Sequence, residues 1–136
     1  MSQLQAKRLE NVNAFIKVIG DHGRRFFYNS KSDRYAHMQL DARGRVWFVD
    51  DYSGERIYTH RDGRWRGFSH GGTIRILVEM LRNHIKQGKK ISAHYFTCRS
   101  WMDGHHPWGY PSDSLEVLRE EGVLLGVVAE QEQDDE

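Results

Sequence analysis

A chain of 136 residues is long enough to enclose one hydrophobic core and too short for two. Its residues are 38% hydrophobic and 12% aromatic, which excludes a disordered chain, and no apolar run approaches the roughly 18 residues that a membrane span needs. The single cysteine, Cys98, excludes an internal disulfide and a cysteine-rich zinc site. The first eight residues lack the apolar core of a signal peptide, so we expect a cytoplasmic protein.

The net charge of +1 conceals an uneven distribution. Residues 1–99 contain nineteen Lys or Arg and nine Asp or Glu, whereas residues 100–136 contain one Arg and ten acidic residues. A basic body with an acidic tail is typical of proteins that contact nucleic acid or a nucleic-acid machine. The alternative is that the tail folds back and neutralises the body.

The N-terminal segment predicts one amphipathic helix over residues 4–20. Apolar residues recur there at three- and four-residue intervals; they are Leu9, Val12, Phe15, Ile16 and Ile19. Gly20 and Gly23 offer left-handed exits from the helix. A first strand over Arg24–Tyr28 and a polar loop over Asn29–Asp33 follow.

An antiparallel meander is predicted next. Turn signals at Gly44, Gly54 and Asp62-Gly63 stand about ten residues apart, because glycine accepts the positive φ of tight hairpins. The strands between and beside these turns are predicted as Tyr35–Leu40, Arg45–Val49, Arg56–His60 and Arg64–Phe68. The second of them is apolar on both faces, which predicts a place at the centre of the sheet.

A second helix is the clearest element of the pattern. Its apolar stripe is Ile74, Leu77, Val78, Leu81 and Ile85. Ser69 or Thr73 is expected to cap its start and Gly88 to close its end. A further strand over Ile91–Thr97, an irregular stretch over 99–112 and a short helix over Ser114–Glu121, capped by Ser112 or Asp113, follow.

The predicted class is therefore α+β, with a meander of four to five strands between an N-terminal and an amphipathic helix and a short C-terminal helix. Val123-Leu124-Leu125 is expected to pack onto the core. Residues 1–129 are predicted to form a single domain, and the acidic residues 130–136 a disordered tail.

Metal and nucleophile chemistry finds no support in the residue spacing. None of the eight histidines has the helical i,i+4 spacing beside a glutamate that marks a zinc site, and His105-His106 fits a solvated loop. Asp50-Asp51 looks like an acidic pair, but neighbours on a strand point to opposite faces. Cys98 with His94 fits a small buried thiol as well as a nucleophile. We expect no metal, no cofactor and no catalytic residue.

An anion site is the first positive hypothesis. Ser69-His70-Gly71-Gly72-Thr73 directly precedes the second helix, where backbone N–H groups and the positive helix end are accessible to an anion. Arg64 and Arg66 would share one face of the preceding strand and complete the site. A tight strand-to-helix connection explains the same glycines without any ligand.

A basic face is the second hypothesis. Arginines and a tryptophan lie on the predicted strands and hairpin turns, where a sheet can present cations to phosphates. The residues of this face are Arg45, Arg56, Arg64, Trp65 and Arg66, within a wider basic set that also includes Arg24, Arg25, Arg43 and Arg61. An ordinary charged, exposed sheet face is the alternative. The acidic segment, through Trp101, Trp108 and Tyr110, is a possible second binding surface.

Four segments of the sequence resemble short proteins of bacteriophages and other bacterial mobile elements. They are Gly23-Arg24-Arg25-Phe26-Phe27, the run from Gly44 to Tyr52, the run from Gly63 to Thr73, and Trp108-Gly109-Tyr110. The resemblance covers most of residues 12–126 and brings no catalytic motif. It implies a small accessory protein that binds a host complex such as CRISPR–Cas or restriction machinery.

Together these observations predict a non-enzymatic accessory protein that inhibits or modulates a nucleic-acid-handling host system. Its partner would be a host protein or ribonucleoprotein complex, nucleic acid, or both, and no membrane. A direct DNA- or RNA-binding module that uses the basic sheet is the first alternative. A small nucleotide-binding protein or nuclease that uses the region of Arg64, Arg66 and His70 is the second.

Overall fold

The structure is a computed structural model that describes residues 3–22, 26–96 and 112–130. Its elements in chain order are α1 (Gln3–Asp21), β1 (Tyr28–Asn29), β2 (Arg34–Tyr35), β3 (His37–Leu40), β4 (Val46–Val49), β5 (Arg56–Tyr58), α2 (Gly72–Gln87), a 3₁₀ helix (Ala93–Phe96) and α3 (Ser112–Leu124). The predicted α+β class is confirmed, with antiparallel strands between an N-terminal helix and an amphipathic one.

A three-stranded antiparallel sheet in the order β3-β4-β5 forms the centre of the fold, and β4 lies in the middle as predicted. Met38 pairs with Phe48, which pairs with Ile57 on its other side. All three side chains are buried, because period two along each strand places them on one face. Helix α1 packs on β3 and α2 packs on β4. A separate ribbon pairs β1 with β2.

Helix α2 buries the predicted stripe from Ile74 to Ile85 and ends at Gly88, whose φ of 77° lets its N–H reach the carbonyl of His84. The predicted cap was wrong. Gly71 is the N-cap and no side chain bonds to it, because Thr73 already lies inside the helix and Ser69 bonds to Asp50 instead.

The predicted strand Arg64–Phe68 was also wrong. At Gly67 the backbone φ is +86°, which lies outside the β region and turns the chain back on itself. The N–H of Phe68 donates to the carbonyl of Trp65, and the two rings meet edge to face at 5.3 Å. Trp65 is thereby drawn into the core.

Of the described residues of the first predicted strand, Arg24–Tyr28, only Tyr28 lies in a strand. Phe27 has a φ of 69°, which breaks the extended backbone, so β1 begins at Tyr28. Asn29, predicted in a loop, belongs to this strand. Residues 23–25 lie outside the described part of the chain.

The C-terminal elements differ from the prediction as well. Ile91 forms one parallel bridge to Val128, and a 3₁₀ helix replaces the rest of the predicted strand Ile91–Thr97, of which Thr97 lies outside the described residues. Helix α3 is longer than predicted, starting at Ser112. Its last residue, Leu124, is 80% exposed, so the expected packing of that residue was wrong.

One hydrophobic core joins the helices, the sheet and the C-terminal segment. Phe15 of α1 meets Phe96 edge to face at 5.7 Å. Ile91 donates its N–H to the carbonyl of Val127 and accepts from the N–H of Ala129, at 2.9 and 2.8 Å. These hydrogen bonds therefore hold the chain after α3 against the segment that follows α2. Within the described ranges, no helix is both long and apolar enough to cross a membrane.

Candidate functional site

Five arginines surround one open cleft of about 620 Å³, which we call the basic cleft. Its lining is Arg45, Trp47, Glu55, Arg56, Ile57, Tyr58, Arg61, Arg64, Trp65 and Arg66. Residues 45–47 and 56–58 belong to β4, β5 and the adjoining turn, whereas 61–66 follow β5. The structure thus brings together all five residues that the sequence placed on the basic face. Arg64 and Arg66 share the cleft because the chain turns there, and not because a strand alternates.

The cleft arginines differ in how far other groups already engage them. Arg45 forms an ion pair with Asp41 at 2.8 Å. Arg56 lies over the Trp47 ring, 4.0 Å from its centroid, and donates to the Gln39 side chain. Arg61, Arg64 and Arg66 are exposed, and within the described residues their guanidinium groups have no hydrogen-bond or ion-pair partner. These three are the groups most available to an anion.

Asp41 fixes the turn that carries Arg45. Its carboxylate accepts from the backbone N–H groups of Arg43 and Arg45 and from the Trp47 indole. The bond from Trp47, followed by those from Arg45 and Arg43, holds the pKa of Asp41 well below its usual range. The carboxylate therefore stays charged and holds the edge of the cleft in one geometry.

Aromatic rings form the walls of the basic cleft. Trp47 and Tyr58 lie opposite one another on β4 and β5, with ring centroids 5.1 Å apart. Trp65 is 5% exposed and supports Arg75, which lies 4.3 Å over its ring. Trp65 therefore forms part of the cleft surface and does not project into the cleft to contact a ligand. Arg61, a member of the wider basic set, also lines the cleft, whereas the sequence prediction missed Trp47 and Tyr58. Cross-strand pairing of neighbours on one face would have indicated both of these residues.

A second cluster contains Asp50, Asp51 and His70, and it corrects the expectation that the two carboxylates diverge. Strand β4 ends at Val49, so both aspartates lie in the turn toward β5, where strand alternation no longer applies. One ligand atom from each of the three residues lies within 4.8 Å of the others. His70 Nε2 is 2.8 Å from Asp51 Oδ1.

Asp50 accepts hydrogen bonds from the β4–β5 turn and from the segment before α2. It is fully buried, and its carboxylate accepts from the N–H groups of Tyr52 and Ser53 and from both the N–H and the hydroxyl of Ser69. Ser53 adds a bond from its hydroxyl to the Gly67 carbonyl at 2.6 Å. These bonds join the β4–β5 turn to the segment before α2.

An open cleft of about 920 Å³ lies over this cluster, and we call it the Asp–His cleft. Asp51, Tyr52, Ser69 and His70 form one side of it. Further lining residues come from the end of α1, from β1 and from the turn after β1, among them Tyr28 and Lys31. The sequence prediction treated His70 only as part of an anion site and did not find this pairing.

The predicted anion site is divided by the fold. His70, Gly71 and Gly72 line a hollow of about 250 Å³ at the start of α2, together with Arg64. Arg66 lines the basic cleft instead. Ser69 and His70 bond to Asp50 and Asp51, and Thr73 lies within the helix. Trp101, Trp108 and Tyr110 lie outside the described residues.

Comparison with known proteins gives a family and no solved structure. A family model described as YoqU matches residues 2–133. The SPbeta prophage-derived uncharacterized protein YoqU of Bacillus subtilis (strain 168) is 31% identical over 129 residues, which are 93% of this chain and 87% of that protein. No solved structure matches the chain. The expected resemblance to short proteins of phages and mobile elements is confirmed at the level of a prophage-derived protein.

Proposed function

The chain belongs to the YoqU family, and from that premise we propose that it is a non-enzymatic accessory protein of a phage or mobile element. In this proposal it binds a nucleic-acid-handling host system in the cytoplasm, such as CRISPR–Cas or restriction machinery, and inhibits or modulates it. The prophage origin of the Bacillus relative supports the first part. The basic cleft supports the second.

The single observation that carries the proposal is that three arginines of one cleft have no hydrogen-bond or ion-pair partner among the described residues. Arg61, Arg64 and Arg66 converge with two further arginines around about 620 Å³, against one acid of the lining, Glu55. Uncompensated like charges repel one another, so such a cluster is stabilised when an anion binds. Guanidinium groups suit phosphate because they donate two parallel hydrogen bonds.

The dimensions of the cleft favour an extended polyanion over a small ligand. The cleft is open, and its arginines come from β4, β5 and the segment 61–66. A backbone of successive phosphates can contact cations that are spread over all of these segments at once. The nucleic acid held by a host complex is therefore the partner surface that fits best.

A direct DNA- or RNA-binding module is the second candidate, and the same arginines favour it. The two candidates differ in what holds the complex together. Binding to bare nucleic acid that weakens steeply with salt supports the second candidate. Binding to a host complex that survives removal of its accessible nucleic acid supports the first.

A pull-down from host lysate with the full chain as bait tests both candidates. The lysate is divided, and one half is treated with nuclease before capture. If host proteins stay bound after treatment, the partner is the host complex itself, through its protein or the nucleic acid that it protects; if they are lost, accessible nucleic acid is the direct partner. The variant Arg64→Glu with Arg66→Glu should lose the partner in either case, because charge reversal repels a polyanion. Capture by this double variant at the wild-type level would contradict the proposal.

A further inference from the structure

Two buried carboxylates lie beside the Asp–His cleft, and the proposed role of the basic cleft gives no reason for their burial. Asp50 and Asp51 are 0% and 2% exposed, so two carboxylates lie side by side out of water. Burying a carboxylate is costly unless hydrogen bonds or a cation compensate for it. For Asp50 the four donors described above supply that compensation.

Asp51 has much less compensation. Its side chain is 3% exposed, and among the described residues its carboxylate has one partner, the ring of His70. Arg34 comes close but donates to the backbone carbonyls of Asp51 and Tyr52 and not to the carboxylate. The second oxygen, Oδ2, has no hydrogen-bond partner in the described part of the chain. A buried carboxylate oxygen that is unpaired and borders a cleft is suited to hold a cation.

We propose that Asp50, Asp51 and His70 bind one divalent first-row transition-metal ion, of which Zn²⁺ and Mn²⁺ match the ligand set. Carboxylate oxygens suit Mn²⁺ and imidazole nitrogen suits Zn²⁺. Ligand atoms about 2.0–2.2 Å from one ion lie roughly 3–4 Å from each other. The 4.8 Å limit on the three ligand atoms is therefore within a small side-chain adjustment of that geometry.

The surroundings hold the imidazole in place. The rings of Phe26, Phe27 and Phe68 meet the His70 ring edge to face, with centroids 5.6, 6.0 and 5.7 Å away. The His70 side chain is 10% exposed, so it cannot turn freely into water. A ligand whose orientation is fixed in advance loses little freedom when the ion binds.

Asp50 can join the site by releasing one bond. Ser69 is exposed, and its hydroxyl bond to Asp50 Oδ1, at 3.1 Å, is the longest of the four. Water can replace the carboxylate as the acceptor for this hydroxyl, which frees a lone pair on Oδ1. Three protein ligands leave coordination positions open toward the Asp–His cleft. Water or an anionic ligand would occupy them.

Metal titration of the full chain after removal of bound ions with a chelator is the test. We expect calorimetry to give one Zn²⁺ or Mn²⁺ per chain and the melting temperature to rise with added ion, because only the folded state brings the ligands together. Asp51→Asn and His70→Gln should each weaken binding more than about ten-fold. The matched controls, Asp62→Asn and His94→Gln, change exposed side chains of the same types and should bind like wild type.

A second measurement keeps the test valid if a cluster variant does not fold. Co²⁺ added to the wild-type chain should give visible absorption bands of oxygen and nitrogen ligands without the intense near-ultraviolet band of a thiolate, which excludes Cys98 as a ligand. The proposal is overturned if wild type binds no ion at millimolar concentration, if His70→Gln binds with unchanged affinity, or if the Co²⁺ spectrum shows a thiolate.

Discussion

Neutralising Arg64 and Arg66 should weaken the salt dependence of nucleic-acid binding by a predictable amount. Each arginine that neutralises a phosphate of duplex DNA adds about −0.9 to the slope of log affinity against log salt. With Arg61, Arg64 and Arg66 in contact, the slope is about −2.7, and affinity falls about 40-fold between 50 and 200 mM salt. In Arg64→Gln with Arg66→Gln only Arg61 remains, so the slope is about −0.9 and the fall is about 3.5-fold.

Fluorescence anisotropy of a labelled duplex, titrated at several salt concentrations, gives both slopes. Arg64 and Arg66 are exposed and unpartnered within the described residues, so the urea denaturation curve of the double variant should lie within about 0.5 kcal/mol of wild type. Lys89→Gln with Lys90→Gln is the matched control, because it removes the same charge from exposed positions that do not line the basic cleft.

Three results would refute this reasoning. If the double variant keeps the wild-type slope, phosphates do not contact Arg64 and Arg66. If the lysine control loses as much slope as the arginine variant, the attraction comes from the overall charge of the protein and not from the cleft. A wild-type slope near zero would remove direct nucleic-acid binding altogether.

Three further predictions concern stability. Leu81→Ala should lower the free energy of unfolding in urea by about 2–5 kcal/mol, because the side chain is fully buried and leaves a cavity; a loss below 1 kcal/mol would contradict its place in the core. Asp50→Ala should lower the free energy of unfolding by about 3–5 kcal/mol in the same assay, because several donors lose their acceptor at once. Asp62→Ala, at an exposed position, should leave it almost unchanged. Burial, followed by nearby cations, lowers the pKa values of His60 and His84, so the unfolded chain binds more protons than the folded chain at acidic pH. Thermal melts should therefore show full stability above about pH 6.5 and a loss of stability below it. His84→Gln should make this loss smaller.

The elements that the sequence predicted well are those in which every local signal agrees. Helix α2 has an apolar stripe and a glycine at its C-terminus, and the structure buries that stripe and ends the helix at Gly88. Strand β4 has four apolar residues in succession, which few positions other than a central strand can accommodate. In both cases burial, propensity and end signals select one conformation.

The segment Arg64–Phe68 shows why alternation alone is not sufficient. Its alternating arginine and aromatic residues match a strand, but a strand also needs a partner edge, and periodicity carries no information about that. The positive φ of Gly67 and the burial of Trp65 decide the conformation instead. The arginines still line one cleft, but the turn brings them together and not the alternation of a strand.

The Asp50 and Asp51 cluster was missed for a related reason. The rule that neighbouring side chains diverge is valid only while the strand continues, and the sequence does not show that β4 ends at Val49. The partner of Asp51 lies nineteen residues away, in a segment that a Gly67 turn brings close. Contacts of this kind depend on tertiary structure, which local patterns do not encode.

The bridge between Ile91 and Val128 has a consequence for synthesis on the ribosome. Part of the surface that covers Phe15 of α1 belongs to α3, where Gly122 lies so close that an added Cβ would come within 3.1 Å of the Phe15 ring. Helix α1 therefore remains incompletely covered until the segment around Gly122 has been synthesised. More than 100 residues separate Phe15 from Gly122, and at a synthesis rate of about 5–20 residues per second they take several seconds to add. During that time the nascent chain exposes apolar surface that is prone to aggregation.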